Sequence, residues 1–300
     1  MKRVIVSLAA LGLLAFAPVT ASAQNLSPTL QKIKDAGTIT IGHRDSSVPF
    51  SYLDNNQKPI GFSLELCDLV VAKLKEKLSK PDLKIAYQAV NSSNRIPLVK
   101  NGTVDIECGS TANTIARQQE VAYSVIFYAP QFKWLALKSS DLKTTDDLKS
   151  KAVVVTQGTN TAQFVAKLNA EKNLGLKILQ GKDHAESFLL VETGRAVAFM
   201  EDDILLAGLK ANASSPDNFV LLNDAYPSDP SGVMMAKGDG EFKKLVDDAL
   251  VEAMKSGLYD KLYAKWFESP IPPKNINLKF PQSDGLKALV KTPSDKAIGQ

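Results

Sequence analysis

The chain has 300 residues, a formal net charge of +4 and an apolar share of 44%. These values are typical of a globular protein, so they exclude disorder for the bulk of the chain and leave room for one large domain or two lobes. The positive charge is small and no run of Lys or Arg occurs, which argues against nucleic acid as a partner.

Residues 1–23 have the pattern of a secretory signal peptide, in which two basic residues precede an apolar stretch and small residues precede the cleavage site. The apolar stretch, residues 4–16, is shorter than the roughly 20 residues that a membrane-spanning helix needs. We therefore expect cleavage after Ala23 and a mature chain that begins at Gln24 and is exported to the periplasm.

Strands and helices alternate along the predicted mature chain. The first run consists of a short helix from Leu30 to Gly37, a strand over 38–41, an amphipathic helix between Gly61 and Pro81, a strand over 84–90, a brief helix closing at Gly102 and a strand over 104–108. After Asp141 the order restarts with strand 152–156, a helix through 164–168, strand 177–179, helix 185–193, strand 196–200 and a helix from Asp203. The chain continues with strand 232–236, helices 242–255 and 258–267, and a polar tail without clear periodicity. Such alternation favours parallel-type sheets covered on both faces, and two runs in succession predict two α/β lobes.

The two cysteines of the chain leave two alternatives open. Cys67 falls on the apolar face of a predicted helix and Cys108 ends an apolar strand, so both point inward. In an exported chain they can form a disulfide, because oxidising compartments preserve such bonds. Two separate buried thiols, acting as small hydrophobic groups, fit the pattern equally well.

Polar side chains follow the predicted strands, at the sheet edge where open α/β sheets bind ligands. These residues are Arg44, Ser92, Arg95, Ser110 and Arg117 in the first run, and Thr159, Asn160, His184 and Asp202 in the second. Arginines and a histidine beside hydroxyls and helix starts favour carboxylate binding, and an aspartate suits an ammonium group. Since each carboxylate taken out of water costs several kcal/mol, so many cations predict a ligand with two carboxylates. Each residue alone is also explained as a solvated side chain or a helix cap, but their shared position favours a site.

The sequence contains none of the common catalytic or metal-binding patterns. It has no Gly-x-Ser-x-Gly elbow, His-Glu-x-x-His helix, phosphate-binding glycine loop or Cys/His spacing suited to zinc. His43 and His184 are the only histidines, and we expect His43 to be structural. We therefore predict a binding protein rather than an enzyme, with no metal and no other cofactor.

Several stretches of the chain carry a resemblance to a known family. They are residues 42–52, 94–105, 107–111, 182–184, 194–200, 265–267 and 270–275. They resemble the type-II periplasmic amino-acid-binding proteins and, through the combination of Arg44, Arg95 and His184, the glutamate/aspartate-binding members of ABC uptake systems. The resemblance implies a two-lobed α/β fold in which a mostly parallel sheet flanked by helices forms each lobe and two hinge crossings join the lobes. It places lobe 1 at residues 24–130 and 231–300, and lobe 2 at residues 131–230.

The resemblance also implies a division of roles within the site. The side-chain carboxylate of the ligand would be held by Arg44, Ser92, Arg95 and His184, the α-carboxylate by Ser110, Arg117 and Thr159, and the α-ammonium by Asp202. The chain departs from the family pattern at Ala112 and Asn160, where relatives usually have threonine on the α-carboxylate side. Ala112 still offers its backbone N–H. A neutral ligand would leave two arginines unpaired, which argues against glutamine.

The resemblance implies a monomeric solute-binding protein that captures L-glutamate or L-aspartate by hinge closure. The partners would be this small ligand and the permease subunits of an ABC importer at the membrane. One alternative is an exported enzyme on the same fold, similar to cyclohexadienyl dehydratases, with Glu201 as its general acid or base. Another is a sensory subunit that presents the closed form to a membrane receptor.

Overall fold

The computed structural model describes residues 26–297 of the protein, so the predicted signal peptide, residues 1–23, lies outside the described residues. Within residues 26–297 the chain forms two lobes, each built around a five-stranded sheet. No helix in this range combines the length and the apolar character that crossing a bilayer requires.

The helices and strands follow one another in three groups. The first group is α1 (Pro28–Ala36), β1 (Thr38–His43), β2 (Ser46–Ser47), β3 (Ser51–Leu53), β4 (Pro59–Ile60), α2 (Phe62–Leu78), β5 (Lys84–Ala89), α3 (Arg95–Lys100), β6 (Ile106–Glu107), α4 (Ile115–Gln118) and β7 (Val121–Tyr123). The second group is β8 (Gln131–Leu137), β9 (Ala152–Thr156), α5 (Asn160–Glu171), β10 (Lys177–Gly181), α6 (His184–Glu192), β11 (Ala198–Asp202), α7 (Asp203–Asn212) and β12 (Phe219–Pro227). The third group is β13 (Met234–Ala236), α8 (Gly240–Lys255), α9 (Leu258–Phe267), β14 (Pro270–Ile271), β15 (Ile276–Asn277) and α10 (Asp284–Lys291).

The sheets have matching topologies. Lobe 1 contains the sheet β5-β1-β6-β13-β7, in which β1 is parallel to β5 and β6 while β13 is antiparallel to β6 and β7. Lobe 2 contains the sheet β10-β9-β11-β8-β12, in which β9 is parallel to β10 and β11 while β8 is antiparallel to β11 and β12. The two-lobed α/β fold is confirmed. Each sheet is mixed rather than mostly parallel, because strands that enter or leave a lobe run against their neighbours.

The chain crosses between the lobes twice, and the two crossings lie side by side. On the lobe 1 side of the crossings, Tyr128 pairs with Ser231. On the lobe 2 side, Phe132 of β8 pairs with Tyr226 of β12. The boundaries expected at residues 130 and 231 fall in these crossings and stay predictions. The two lobes are therefore joined by one pair of adjacent strands, which is the arrangement of a hinge.

Lobe 1 has the larger hydrophobic core, in which rings of different elements meet. Phe62 at the start of α2 packs edge-to-face on Phe267 of α9, with ring centroids 5.1 Å apart. Phe50 packs on the same Phe267 at 5.6 Å. Aromatic pairs of this kind add to the stabilisation that burial alone supplies. This packing holds the loop after β1 and the start of α2 against the C-terminal helices.

The polar tail is more ordered than its sequence indicates. Ser283 caps α10 by accepting a hydrogen bond from the backbone N–H of Leu286, and Leu286 is itself buried in the core of lobe 1. A single buried leucine does not produce a periodic apolar pattern, so the sequence did not predict this helix.

Cys67 and Cys108 are joined by a disulfide. Cys67 lies in α2, and Cys108 directly follows β6. Both cysteines are fully buried. Ser63 adds a hydrogen bond from its hydroxyl to the carbonyl oxygen of Cys108 at 2.9 Å. The chain segment that begins at Gly109 is therefore fastened to α2 by a covalent bond and a hydrogen bond.

Candidate functional site

The lobe 1 side of the cleft carries two buried arginines. Arg44 directly follows β1 and is 2% exposed, and Arg95 starts α3 and is 3% exposed. Because β1, β5 and β6 are neighbours, the segments after them meet at one edge of the sheet. The Arg44 Nη2 atom donates to Ser92 Oγ at 2.9 Å, and the backbone N–H of Arg44 donates to Ser51 Oγ at 2.9 Å. These contacts fix the Arg44 backbone and the direction of its guanidinium.

The lobe 2 side is built from helix starts and a strand end. Thr159 caps α5, since its hydroxyl oxygen accepts from the backbone N–H of Ala162 while the hydroxyl donates to the carbonyl oxygen of Thr156. His184 begins α6 and is buried. Asp202 ends β11, and its Oδ1 accepts from Ser228 Oγ at 2.8 Å. The positions predicted for these residues at strand and helix ends are thus observed.

Side chains of lobe 1 reach across the cleft to lobe 2. The Arg117 Nη2 atom donates to the carbonyl oxygen of Gly158 at 3.1 Å, and Arg44 Nη2 lies 3.4 Å from His184 Nε2. Gly158 itself packs so closely that a Cβ there would lie 2.7 Å from the carbonyl oxygen of Ser92. We call this set of contacts the closed arrangement.

The imidazole of His184 links the lobes through a series of hydrogen bonds. The series starts at Arg44, and each group in it donates to the next. A guanidinium only donates, so His184 Nε2 accepts from Arg44 and the ring proton lies on Nδ1. His184 Nδ1 donates to Thr156 Oγ1 at 2.9 Å, and Thr156 Oγ1 donates to Ser187 Oγ at 2.9 Å. Ser187 Oγ donates to the carbonyl oxygen of Asp183 at 2.9 Å, which ends the series. A neutral imidazole satisfies every bond in it.

Burial lowers the pKa values of the basic groups. Burial lowers the pKa of Arg44, although nearby carboxylates such as Glu107 oppose this shift. Burial lowers the pKa of Arg95 to about 9, and the charges of Arg117 and Arg44 add to the effect. Burial, followed by the charges of Arg44 and Arg95, lowers the pKa of His184 well below its usual range. An anion among these groups would favour their charged forms.

Several buried donors of the site lack an acceptor. Arg44 Nη1, Arg95 Nε and Ser110 Oγ have no hydrogen-bond partner within residues 26–297. A buried donor left unpaired costs about 1–3 kcal/mol, and more when it is charged. The three donors therefore suit a ligand that brings oxygen acceptors into the cleft.

Buried carboxylates complete the electrostatics of the site. Glu107 Oε2 accepts from Thr111 Oγ1 at 2.6 Å, and Glu201 Oε1 accepts from the backbone N–H of Asp202 at 3.1 Å. Burial, followed by the neighbouring Glu201, raises the pKa of Asp202 well above its usual value. A cationic group beside Asp202 would counteract this shift, because opposite charge favours the ionised carboxylate.

The structure places the two departures from the family pattern differently. The carbonyl oxygen of Ala112 accepts from Arg117 Nη1 at 3.0 Å, so this residue supports an arginine of the site through its backbone. Asn160, at the start of α5, directs its Nδ2 to Asp229 Oδ2 at 3.0 Å. The side chain of Asn160 thus contacts the segment that leads into the second crossing.

Two buried acids were not singled out as site residues from the sequence. Glu107 had a signal, because a charged residue within a predicted buried strand needs a partner. Asp229 had none, since it lies in a segment without periodicity. Within the described range, no group of three or more His, Cys, Asp or Glu residues is placed to hold a metal ion.

Comparisons with known proteins identify the family of the chain and proteins of similar sequence and fold. The family model for bacterial extracellular solute-binding proteins, family 3, matches residues 39–269. The glutamate/aspartate import solute-binding protein of Salmonella typhimurium is 48% identical over 270 residues, which cover 90% of this chain and 89% of that protein. The L-glutamate/L-aspartate-binding protein of Pseudomonas aeruginosa is 48% identical over 297 residues, which cover 99% of this chain and 98% of that protein. A solved structure of an ancestral arginine-binding protein bound to glutamine superimposes with a TM-score of 0.68 at 28% identity, covering 77% of this chain and 98% of that one.

Proposed function

Because the chain belongs to the bacterial extracellular solute-binding proteins of family 3, we propose that it captures L-glutamate or L-aspartate between its lobes and delivers it to the permease subunits of an ABC importer. The fold is the two-lobed type II fold of periplasmic binding proteins. The Salmonella typhimurium relative is named as an import solute-binding protein and the Pseudomonas aeruginosa relative as a binding protein, and neither is named as an enzyme. Nothing in the site favours the dehydratase or the sensory alternative over transport.

The observation that carries the proposal is the set of buried cations with unpaired donors. Arg44 and Arg95 lie on one lobe with donors that no carboxylate of the described chain accepts, and neutral His184 faces them from the other lobe. Arg44, Ser92, Arg95 and His184 would hold the side-chain carboxylate of the ligand, and His184 would do so by taking up a proton on Nε2, because a nearby anion favours the charged imidazole. Removing two such cations from water is unfavourable unless an anion accompanies them, which the ligand supplies.

The second carboxylate and the ammonium group have separate partners. Ser110 supplies an unpaired hydroxyl, and Arg117 lies between Ala112 and Gly158 across the cleft. We assign the α-carboxylate to Ser110, Arg117 and Thr159, together with the backbone of Ala112 and the start of α5 at Asn160. Asp202 would pair with the α-ammonium, which returns its carboxylate to the ionised form.

Closure would then follow from the ligand's contacts with both lobes. A ligand shifts an open–closed equilibrium only by its difference in affinity for the two states. A diacid that touches Arg44 on lobe 1 and Asp202 on lobe 2 gains its second set of contacts only in the closed arrangement. The importer would recognise this closed form.

Titration calorimetry on the purified protein should detect one site for glutamate and for aspartate. Glutamine should bind about 10–100-fold more weakly, since hydrogen bonds to charged groups are worth about 1.5–3 kcal/mol and its neutral amide leaves part of the arginine pair unmatched. Glutamine is the matched control because it has the size and shape of glutamate. Tighter binding of glutamine or arginine than of glutamate would contradict the proposal.

We further propose that the protein is exported to the periplasm with cleavage after Ala23 and acts there as a monomer. The intact mass of protein released from the periplasm should correspond to a chain that starts at Gln24. Light scattering on the same sample should give the mass of one chain. A mass that still includes residues 1–23 would contradict the proposed cleavage. A dimer mass would contradict the proposed monomer.

A further inference from the structure

The C-terminal tail beyond α10 lies against the part of lobe 1 that leads into the crossings. The carbonyl oxygen of Ser294 accepts from the backbone N–H of Ile126 at 2.8 Å. The side chain of Asp295 forms an ion pair with Lys243 of α8, with Nζ and Oδ2 2.9 Å apart. The family match ends at residue 269, so the tail lies outside the part of the chain that the family model describes.

The carbonyl oxygen of Asp295 contacts the chain segment that carries Ala112 and Arg117. It accepts from Asn113 Nδ2 and from Gln118 Nε2, each at 2.9 Å. Gln118 Nε2 also donates to Asn113 Oδ1 at 2.8 Å, so these two side chains and the tail form one hydrogen-bonded cluster. Asn113 is 0% exposed, and its backbone N–H donates to the carbonyl oxygen of Pro230 at 2.7 Å. Asn113 therefore joins the tail, the second crossing and α4.

The helix that this cluster supports carries Arg117. The helix α4 has only four residues, which is too few for a helix to be stable by its own hydrogen bonds. Its start is capped by Thr114, whose hydroxyl accepts from the backbone N–H of Arg117 at 3.1 Å. Its last residue, Gln118, is held by the tail. The guanidinium of Arg117 spans 3.0 Å to Ala112 and 3.1 Å to Gly158, so a small displacement of α4 would lose both bonds.

We propose that the tail, residues 292–297, is a positioning segment that fixes α4 and thereby Arg117 for the carboxylate of the ligand. The inference rests on the proposed function, because it requires glutamate as the ligand whose binding is measured. A positioning segment acts through Arg117 and touches no ligand atom. Loss of the tail should therefore have no additional effect on glutamate affinity once the guanidinium of Arg117 has been removed.

A double-mutant cycle tests this coupling. One change ends the chain after Lys291, which keeps α10 whole, and the other is Arg117→Lys, which keeps the charge but loses the two-pronged contact. We expect truncation to weaken glutamate binding about tenfold in the otherwise unchanged protein, and less than about twofold in the Arg117→Lys background. An equal loss in both backgrounds, or no loss in either, would overturn the inference. Absence of glutamate binding by the full chain would overturn the proposed function as well.

A pair of point substitutions keeps the test valid if the truncated chain folds poorly. Gln118→Ala removes one donor to Asp295 and should weaken glutamate binding about threefold, in line with the loss of one modest hydrogen bond. Gln119→Ala changes the exposed neighbour on the same chain segment and should leave affinity unchanged. Thermal unfolding of each variant identifies any loss of fold. Equal glutamate affinities for these two variants would count against the positioning role.

Discussion

Arg95→Ala should weaken glutamate binding by about 2–5 kcal/mol, the usual loss when one member of a buried charge pair is removed. The guanidinium is 3% exposed, and burial together with the charges of Arg117 and Arg44 lowers its pKa to about 9. Its charge is therefore costly without a ligand and strongly favourable beside a carboxylate. Titration calorimetry of the variant and the unchanged protein measures the difference directly.

Two further substitutions separate this effect from a general loss of positive charge. Arg195→Ala removes an exposed arginine of lobe 2 and should leave the affinity for glutamate unchanged. Arg95→Lys keeps the charge but not the planar fork of donors, so it should give an intermediate loss. If Arg95→Ala bound glutamate as tightly as Arg195→Ala, Arg95 would have no part in the site.

Gly158→Ala should weaken glutamate binding by about 1–3 kcal/mol, the usual cost of forcing an extra methyl group into a packed region. The new Cβ would lie 2.7 Å from the carbonyl oxygen of Ser92 on the other lobe, so separation of the lobes would relieve this contact. The variant should therefore favour the open form. Calorimetry gives the affinity, and small-angle scattering with saturating glutamate reports whether the lobes still close.

The chain provides a matched control for this substitution in Gly194. Gly158 and Gly194 have φ values of +78° and +72°, so alanine at either position carries the left-handed penalty of about 1–2 kcal/mol in folding stability. A Cβ at Gly194 meets no heavy atom of the described residues within 4 Å. Gly194→Ala should thus lose stability to a similar extent and keep its affinity. Equal glutamate affinities for the two variants would mean that binding does not require the closed contact.

Much of the fold was predictable because it depends on local patterns. Apolar periodicity and capping residues identified α2 and α8 and the parallel strands β1 and β9, each to within a few residues of their observed bounds. Strand direction was not predictable in the same way. A buried strand such as β13 has the same apolar run whether it pairs in parallel or antiparallel, so the mixed character of the sheets has no sequence signal.

The candidate site also contains features that local patterns predict and features that they do not. The placement of Arg44 and Arg95 at one sheet edge was predictable because each follows a predicted strand, and the topology of an open α/β sheet gathers such positions. The partner of Asn160 was not predictable, since Asp229 lies 69 residues away in an irregular segment. The contact between Asn113 and the tail spans 182 residues and depends on how α10 packs. Long-range pairs of this kind are decided by tertiary packing rather than by residue pattern.

The disulfide has a consequence for how binding data on this protein are interpreted. The ring closed by Cys67 and Cys108 contains Ser92 and Arg95 and ends one residue before Gly109. Material made in a reducing cytosol would carry free thiols. Partial oxidation by air during purification would then give a mixture in which only the oxidised molecules have this segment tethered at both ends. Two midpoints in a titration of such a sample would then reflect two redox populations, rather than two binding sites on one molecule.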